Sequence, residues 1–131
     1  MPPRDREGLG TPEEWIKRAK SNLAIARQPA TEDIYLEDLC FETQQAAEKA
    51  LKAVLLSKNI PFRLIHDLSE LLTLLEQRGI PLPEGIKAAA TLTDYSVEAR
   101  YPGPFEPVTE DEYREALQIA EAVVVWAESQ I

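Results

Sequence analysis

Apolar side chains recur every three or four residues along most of the chain, the spacing of amphipathic helices. Trp15, Ile16, Ala19, Leu23 and Ala26 form the first stripe. Thr11-Pro12-Glu13-Glu14 precedes it and reads as a helix start: Thr11 as N-cap, Pro12 at the first helical position, Glu14 placed for a capping box. Gln28-Pro29 ends it. A longer helix is predicted from about Glu32 to Lys58. Its stripe is Leu36, Leu39, Cys40, Thr43, Ala46, Ala47, Ala50, Leu51, Val54 and Leu55, and Asn59-Ile60-Pro61 stops it. Phe41, Gln45, Glu48 and Lys52 line a second, mixed stripe on the same helix.

Asp67, with Glu70 three residues on, is a good N-cap for a third helix. Leu68, Leu71, Leu72 and Leu75 would face inward, and Gly79 stands where a C-terminal cap belongs. After Pro81 and Pro83 a fourth helix is predicted from about Glu84 to Ala99, stopped by Tyr101-Pro102-Gly103-Pro104. Thr109 to Glu112 is another capping box, and Glu110, Asp111 and Glu112 suit a helix N-terminus. The last helix, to about Ser129, would pack Tyr113, Leu117, Ala120, Val124 and Ala127. Val123 and Val125 lie off that stripe, which predicts burial on more than one side. No segment alternates with period two long enough for a convincing strand. The pattern predicts an all-α fold: an up-and-down bundle of four main helices with a short extra helix in a connection. Residues 1–10, charged and rich in Pro and Gly, read as a flexible tail before one helical domain over 11–131.

Composition changes this picture little. The 131 residues are 44% hydrophobic and 28% charged, ordinary for a globular domain. Charge adds more: the net charge is −9 at pH 7, heaviest in residues 104–131, which hold one basic and seven acidic side chains. Such a chain lacks the basic surface that non-specific DNA or RNA binding draws on, so any phosphate contact must be local, and DNA is not expected as a partner. A single cysteine, Cys40, excludes an internal disulfide and reads as a buried, reduced thiol. With one histidine as well, no metal site and no cofactor are expected. The N-terminus has no apolar core of a secretory signal, and no run suits a membrane span, so a cytoplasmic protein is the default expectation.

Candidate chemistry concentrates between Cys40 and Leu72. His66, the only histidine, can act as a general acid or base or touch a phosphate; equally, it can simply flank the Asp67 cap. Arg63 and Arg100 can hold a phosphate bidentately, although single surface arginines are the commoner outcome. Gln44, Gln45, Glu48, Lys49 and Lys52 suit a polar groove or a symmetric interface, or else a solvated face with weak pairs of Gln45 with Lys49 and Glu48 with Lys52. Phe41 on the same stripe favours the interface. Trp15, Trp126, Tyr95 and Tyr113 read as packing, since basic residues do not interleave them.

Several of these pieces resemble the HEPN domains (higher eukaryotes and prokaryotes nucleotide-binding). They are Trp15-Ile16-Lys17-Arg18-Ala19-Lys20, the run from Cys40 to Lys52 (CFETQQAAEKALK), His66-Asp67-Leu68, and Tyr95 through Arg100-Tyr101-Pro102. The resemblance covers nearly everything after residue 11. It implies a helical bundle that forms homodimers. It also implies a minimal nucleotidyltransferase as partner, in a two-component, toxin–antitoxin-like module. Nucleotide or RNA phosphate is the implied ligand. Arg63, His66, Arg100, Lys49 and Lys52 are the binding candidates, and Phe41, Gln44, Gln45, Glu48, Tyr95 and Tyr101 the interface candidates. Many relatives are metal-independent ribonucleases whose signature is an arginine, four to six residues, then a histidine. Here only two residues separate Arg63 from His66, and no histidine follows Arg78 or Arg100. The motif is absent, as is the modifiable tyrosine that follows it in some relatives. Cleavage, with His66 as the catalytic group, is therefore the alternative to binding.

Overall fold

A computed structural model of the chain describes residues 10–29, 31–96 and 107–131. Its architecture is all-α. The helices are α1 (Pro12–Ala26), α2 (Leu36–Ser57), α3 (Leu68–Gln77), the single-turn α4 (Glu84–Lys87) and α5 (Glu110–Gln130). A 3-10 helix, Ala88–Tyr95, continues directly from α4. No strand occurs among the described residues.

The 22-residue α2 is the centre of the bundle. It packs most extensively against α1 and α5, and also against α3 and the 3-10 helix. No residue from Leu39 to Leu56 is exposed. Ala46, Ala47, Ala50 and Ala53 are fully buried on α2, as are Ala19 and Ala26 on α1 and Ala120 and Ala127 on α5. Such small residues let helix backbones approach closely while losing almost no side-chain entropy. Larger side chains, Leu51, Leu55, Leu68, Leu71, Leu75 and Leu92, fill the rest of the core.

Cross-links at the rim fix the directions of the helices. Arg27 reaches Glu121 at 2.7 Å, and Lys20 pairs with Glu128, so α1 and α5 run antiparallel. The Tyr113 hydroxyl donates to the Ala26 carbonyl at 2.5 Å, satisfying one of the carbonyls left open at the end of α1. Trp15, Trp126, Tyr95 and Tyr113 are partly buried against the core. Cys40 is buried, and burial, with Glu37 and Glu112 nearby, pushes its thiol up to about 12, which keeps it protonated and unreactive.

The helix ends follow the sequence chemistry closely. Thr11 accepts from the Glu14 N–H at 3.1 Å, and Asp67 from the Ser69 N–H at 2.9 Å. The reciprocal box closes at Thr109 and Glu112. Two helices end in Schellman motifs. At α2, Asn59 adopts φ 61°, its N–H bonds the Leu56 carbonyl, and the Ile60 N–H bonds Leu55. At α3, Gly79 adopts φ 77°, with matching bonds to Glu76 and from Ile80 to Leu75.

Three expectations need correction. The second helix starts at Leu36 rather than near Glu32, because a turn closed by the Ile34 N–H on the Thr31 carbonyl precedes it. The fourth helix is one α-turn followed by 3-10 geometry. Ile86, Ala89, Leu92 and Tyr95 recur every three residues, and three residues per turn places all four on one inward face. On α5, Val123 is buried as the second-side reading expects, but Val125 is 69% exposed. The expected N-terminal tail and the Tyr101-Pro102-Gly103-Pro104 stop lie almost entirely or wholly outside the described residues.

Gly79→Ala is expected to cost about 1 kcal/mol, the strain of a Cβ in the left-handed region. Nothing lies within 4 Å of the added Cβ, so the cost is one of backbone strain alone. The check is the urea midpoint, which should fall at constant slope.

Candidate functional site

The polar residues of the central helix do not face water. Gln44, Glu48 and Lys52 are spaced by one turn along α2 and are 0%, 4% and 4% exposed. A charge buried this deeply must be paired and hydrogen-bonded. The Lys52 ammonium donates to Glu48 Oε2 at 2.8 Å. The Gln44 amide donates to Glu48 Oε1 at 2.8 Å. The Gln45 amide in turn donates to Gln44 Oε1 at 2.7 Å. No buried side-chain nitrogen or oxygen among the described residues lacks a partner. Lys52 also sits over the Trp15 ring, its Nζ 5.9 Å from the ring centroid, so α1 supplies a cation–π face to the same charge.

His66 completes the group from outside α2. It lies in the connection from α2 to α3, directly before the Asp67 cap. Its Nδ1 is 2.8 Å from Glu48 Oε1, while 56% of its side chain remains exposed. Gln44 Nε2 also reaches the His66 carbonyl at 3.4 Å, and the Leu68 N–H donates to Thr93 Oγ1 at 3.1 Å, so the backbone on either side of Asp67 is tied to the bundle. The outcome is a solvent-facing imidazole fixed by its inner nitrogen to a buried carboxylate. Burial alone would raise the Glu48 carboxyl. Hydrogen bonding and charge from Lys52, with the bonds from Gln44 and His66, outweigh burial and hold it below the ordinary carboxylate range.

Two other predicted cations, Arg63 and Lys49, bond elsewhere. Arg63 forks onto Glu70, with Nε 3.1 Å from Oε2 and Nη2 on Oε1. The Arg63 hydrogen bond holds the Glu70 carboxyl down. Glu70 thus spends its carboxylate on Arg63 rather than on a capping box with Asp67. Lys49, half-buried, turns toward α1 and donates to Asn22 Oδ1 at 2.9 Å; Asn22 donates to Glu42 at 2.6 Å. Burial lowers the Lys49 pKa, against the opposing pull of Glu42. Arg100 and Tyr101 lie outside the described residues.

Of the interface candidates, Gln44 and Glu48 are buried within this chain and bonded to its own groups. The Glu48 and Lys52 part of the expected solvated or partner-facing stripe is instead internal, because this face of α2 is covered. Phe41 and Gln45 are half-buried. Tyr95 is partly buried against the core, and burial pushes its hydroxyl up to about 12. Helical spacing pairs Gln45 with Lys49, yet Gln45 bonds Gln44 and Lys49 bonds Asn22. The same spacing finds the Glu48–Lys52 pair but misses that His66 closes it. The available signal is that Gln44, Glu48 and Lys52 repeat at one-turn spacing beside the alanine stripe.

Lys52→Met tests the buried pair. It strands Glu48 in the core and should cost about 3 kcal/mol at neutral pH. In the wild type the lowered Glu48 pKa contributes stability above the ordinary value of about 4.5, lost as pH falls through the folded value. In the variant burial acts unopposed by Lys52 and raises that pKa, so Glu48 takes up a proton more readily. The deficit should therefore shrink between pH 7 and pH 5 in urea titrations; a constant deficit would assign the loss to packing.

Comparison with known proteins agrees with this architecture. The HEPN domain family matches residues 12–130. TT1696 from Thermus thermophilus is 31% identical and superposes with a TM-score of 0.79, the match covering 92% of this chain and 98% of that one. ST0689, an archaeal HEPN homologue, is 33% identical with a TM-score of 0.73 and the same two coverages. No curated protein matches. No helix among the described residues is long and apolar enough to cross a membrane. The family match spans all five helices described above, and the paired glutamines, Glu48, Lys52 and His66 all fall inside it: the chain belongs to the HEPN domain family.

Proposed function

We propose that the protein binds a nucleotide or RNA at the exposed edge of His66, acts as a homodimer, and serves as one component of a two-component, toxin–antitoxin-like module with a minimal nucleotidyltransferase. The observation that carries the binding reading is the imidazole itself. A buried, fully bonded carboxylate holds one ring nitrogen, and the rest of the ring is left to solvent. A histidine that only capped a helix would need no such support, since Asp67 already performs the capping. The net charge of −9 argues for one local contact rather than an extended basic track. The nucleotidyltransferase and the dimer rest on the family resemblance.

A second reading has the same observation behind it. An imidazole oriented by a carboxylate is also suited to proton transfer. In a dimer that brought two His66 rings together, one would take the ribose 2′-hydroxyl proton and the other would protonate the leaving oxygen. Arg63 or Arg100 would then have to stabilise the phosphorane; Arg63 is already occupied by Glu70, and Arg100 lies outside the described residues. For this reason, and because the arginine–histidine spacing of the ribonuclease relatives is absent, binding is the better supported of the two.

The test is thermal unfolding with and without ATP and short RNA, on samples whose oligomeric state is measured by light scattering. The wild type should be dimeric and should gain stability with ligand. His66→Ala should bind about tenfold more weakly, the scale of one lost hydrogen bond. Its unliganded melting temperature should fall modestly, because the buried Glu48 carboxylate loses one hydrogen-bond donor and keeps Lys52 and Gln44. A strict monomer with no ligand-dependent shift sinks the proposal. RNA cleavage in EDTA that His66→Ala abolishes would decide for the second reading, and cleavage that survives it unchanged would exclude His66 as the catalytic group.

A further inference from the structure

We propose that Glu48 is a positioning residue: it locks His66 in the Nδ1–H tautomer, so that Nε2 offers a bare lone pair to the hydroxyl of a ribose. This deepens the nucleotide-binding reading above and rests on it for the identity of the ligand.

Donors and acceptors around Glu48 decide the tautomer. Glu48 Oε2 receives the Lys52 ammonium, and Oε1 receives the Gln44 amide. The Gln44 amide cannot turn over without loss, because its oxygen already accepts from Gln45. Oε1 is therefore an acceptor at the point where it meets His66 Nδ1 at 2.8 Å. An ionised carboxylate has no proton to give. Lys52 keeps this one ionised, in line with its lowered pKa. Only Nδ1–H can face it, and which ring nitrogen carries the proton is set by the bond that the other makes. A histidine side chain free in water prefers the opposite form, with the proton on Nε2. The buried ladder of Gln44, Glu48 and Lys52 thus inverts the ordinary preference at one exposed ring.

The inversion has a consequence for the ligand. A neutral ring with Nε2 unprotonated accepts a hydrogen bond and cannot donate one. A ribose hydroxyl supplies the proton that this nitrogen needs. An ionised phosphate oxygen supplies none and would set lone pair against lone pair. Among the described residues, the candidate cations that would favour phosphate are engaged elsewhere: Lys52 with Glu48, Arg63 with Glu70, and Lys49 with Asn22. His66 is accordingly a specificity-determining contact for ribose over deoxyribose, with Glu48 setting its sign.

Two measurements on the full chain test this. Long-range nitrogen-15 correlation spectra in mildly alkaline buffer report the tautomer directly, with no ligand present. The wild type should show Nδ1 protonated and Nε2 bare. Glu48→Gln should return the ring to the Nε2–H form: the glutamine oxygen stays with Lys52, its NH2 donates to Nδ1, and the Gln44 and Gln45 amides turn over together to keep their bonds. An Nε2–H ring in the wild type overturns the proposal whether or not nucleotides bind, and it does so even if Glu48→Gln fails to fold. Titration with a short oligouridylate and its 2′-deoxy counterpart forms the second arm. The ribo form should bind about tenfold more tightly and shift the Nε2 resonance. Equal affinity with the tautomer locked overturns the hydroxyl assignment alone. Binding of neither oligonucleotide to a locked ring overturns the nucleotide-binding reading, and the ribose contact with it.

Discussion

Glu48 and Lys52 lie one turn apart on a helix that presents no exposed residue from Leu39 to Leu56, so both charges are almost wholly shut off from water. That constraint organises the rest of the site. The carboxylate needs its acceptor capacity filled, and it draws on Lys52, Gln44 and His66 to fill it. The ammonium needs a surrounding of favourable sign, and the Trp15 ring of α1 supplies part of it. Removing one partner from such a pair is costly, whereas replacing both with apolar groups of like volume is often neutral or stabilising. A buried ion pair is therefore weak support for stability as its purpose. Here it has another consequence, the fixed orientation of the one histidine.

The surrounding bundle makes this burial feasible. Alanines on α1, α2 and α5 let the helices pack closely over most of α2. The covering elements are held by end-to-end devices rather than by long loops: Tyr113 on the last carbonyls of α1, the Arg27–Glu121 and Lys20–Glu128 bridges along α1 and α5, and Thr93 on the first turn of α3. The two Schellman ends matter for position as well as for capping. The one after α2 turns the chain through Asn59 and buries Ile60. The segment that carries His66 then starts from a fixed point and ends at the Asp67 cap.

Much of this is legible in the sequence because it is local chemistry. Thr11, Asp67, Thr109 and Gly79 announce helix ends through side-chain oxygens and a positive φ, and each performs the role its residue type suits. The repeat of Ile86, Ala89, Leu92 and Tyr95 at three-residue spacing is equally visible, although the alanines between them also suit an α-helix; packing decides for the tighter geometry. The site is less legible because it depends on what covers α2. Whether Glu48 and Lys52 form a weak surface pair or a buried one depends on what covers them, including Trp15 of α1 and His66 of the connection after α2, both remote in sequence. Nor can spacing reveal that His66, eighteen residues beyond Glu48 and in a different element, folds back onto it. Arg63 shows the converse. In the sequence it looks like a phosphate ligand beside His66, and a carboxylate on the next helix takes its fork.

On the proposal above, the buried pair serves to set His66 rather than to hold the bundle together. The most direct test is Glu48→Met combined with Lys52→Met, measured for urea unfolding and for ribonucleotide affinity in the same samples. The expected result is a folded protein with a midpoint at or above that of the wild type and with ribonucleotide binding weakened about tenfold, as in His66→Ala. A double variant that unfolds far more readily, or a folded one that binds as the wild type does, would contradict it.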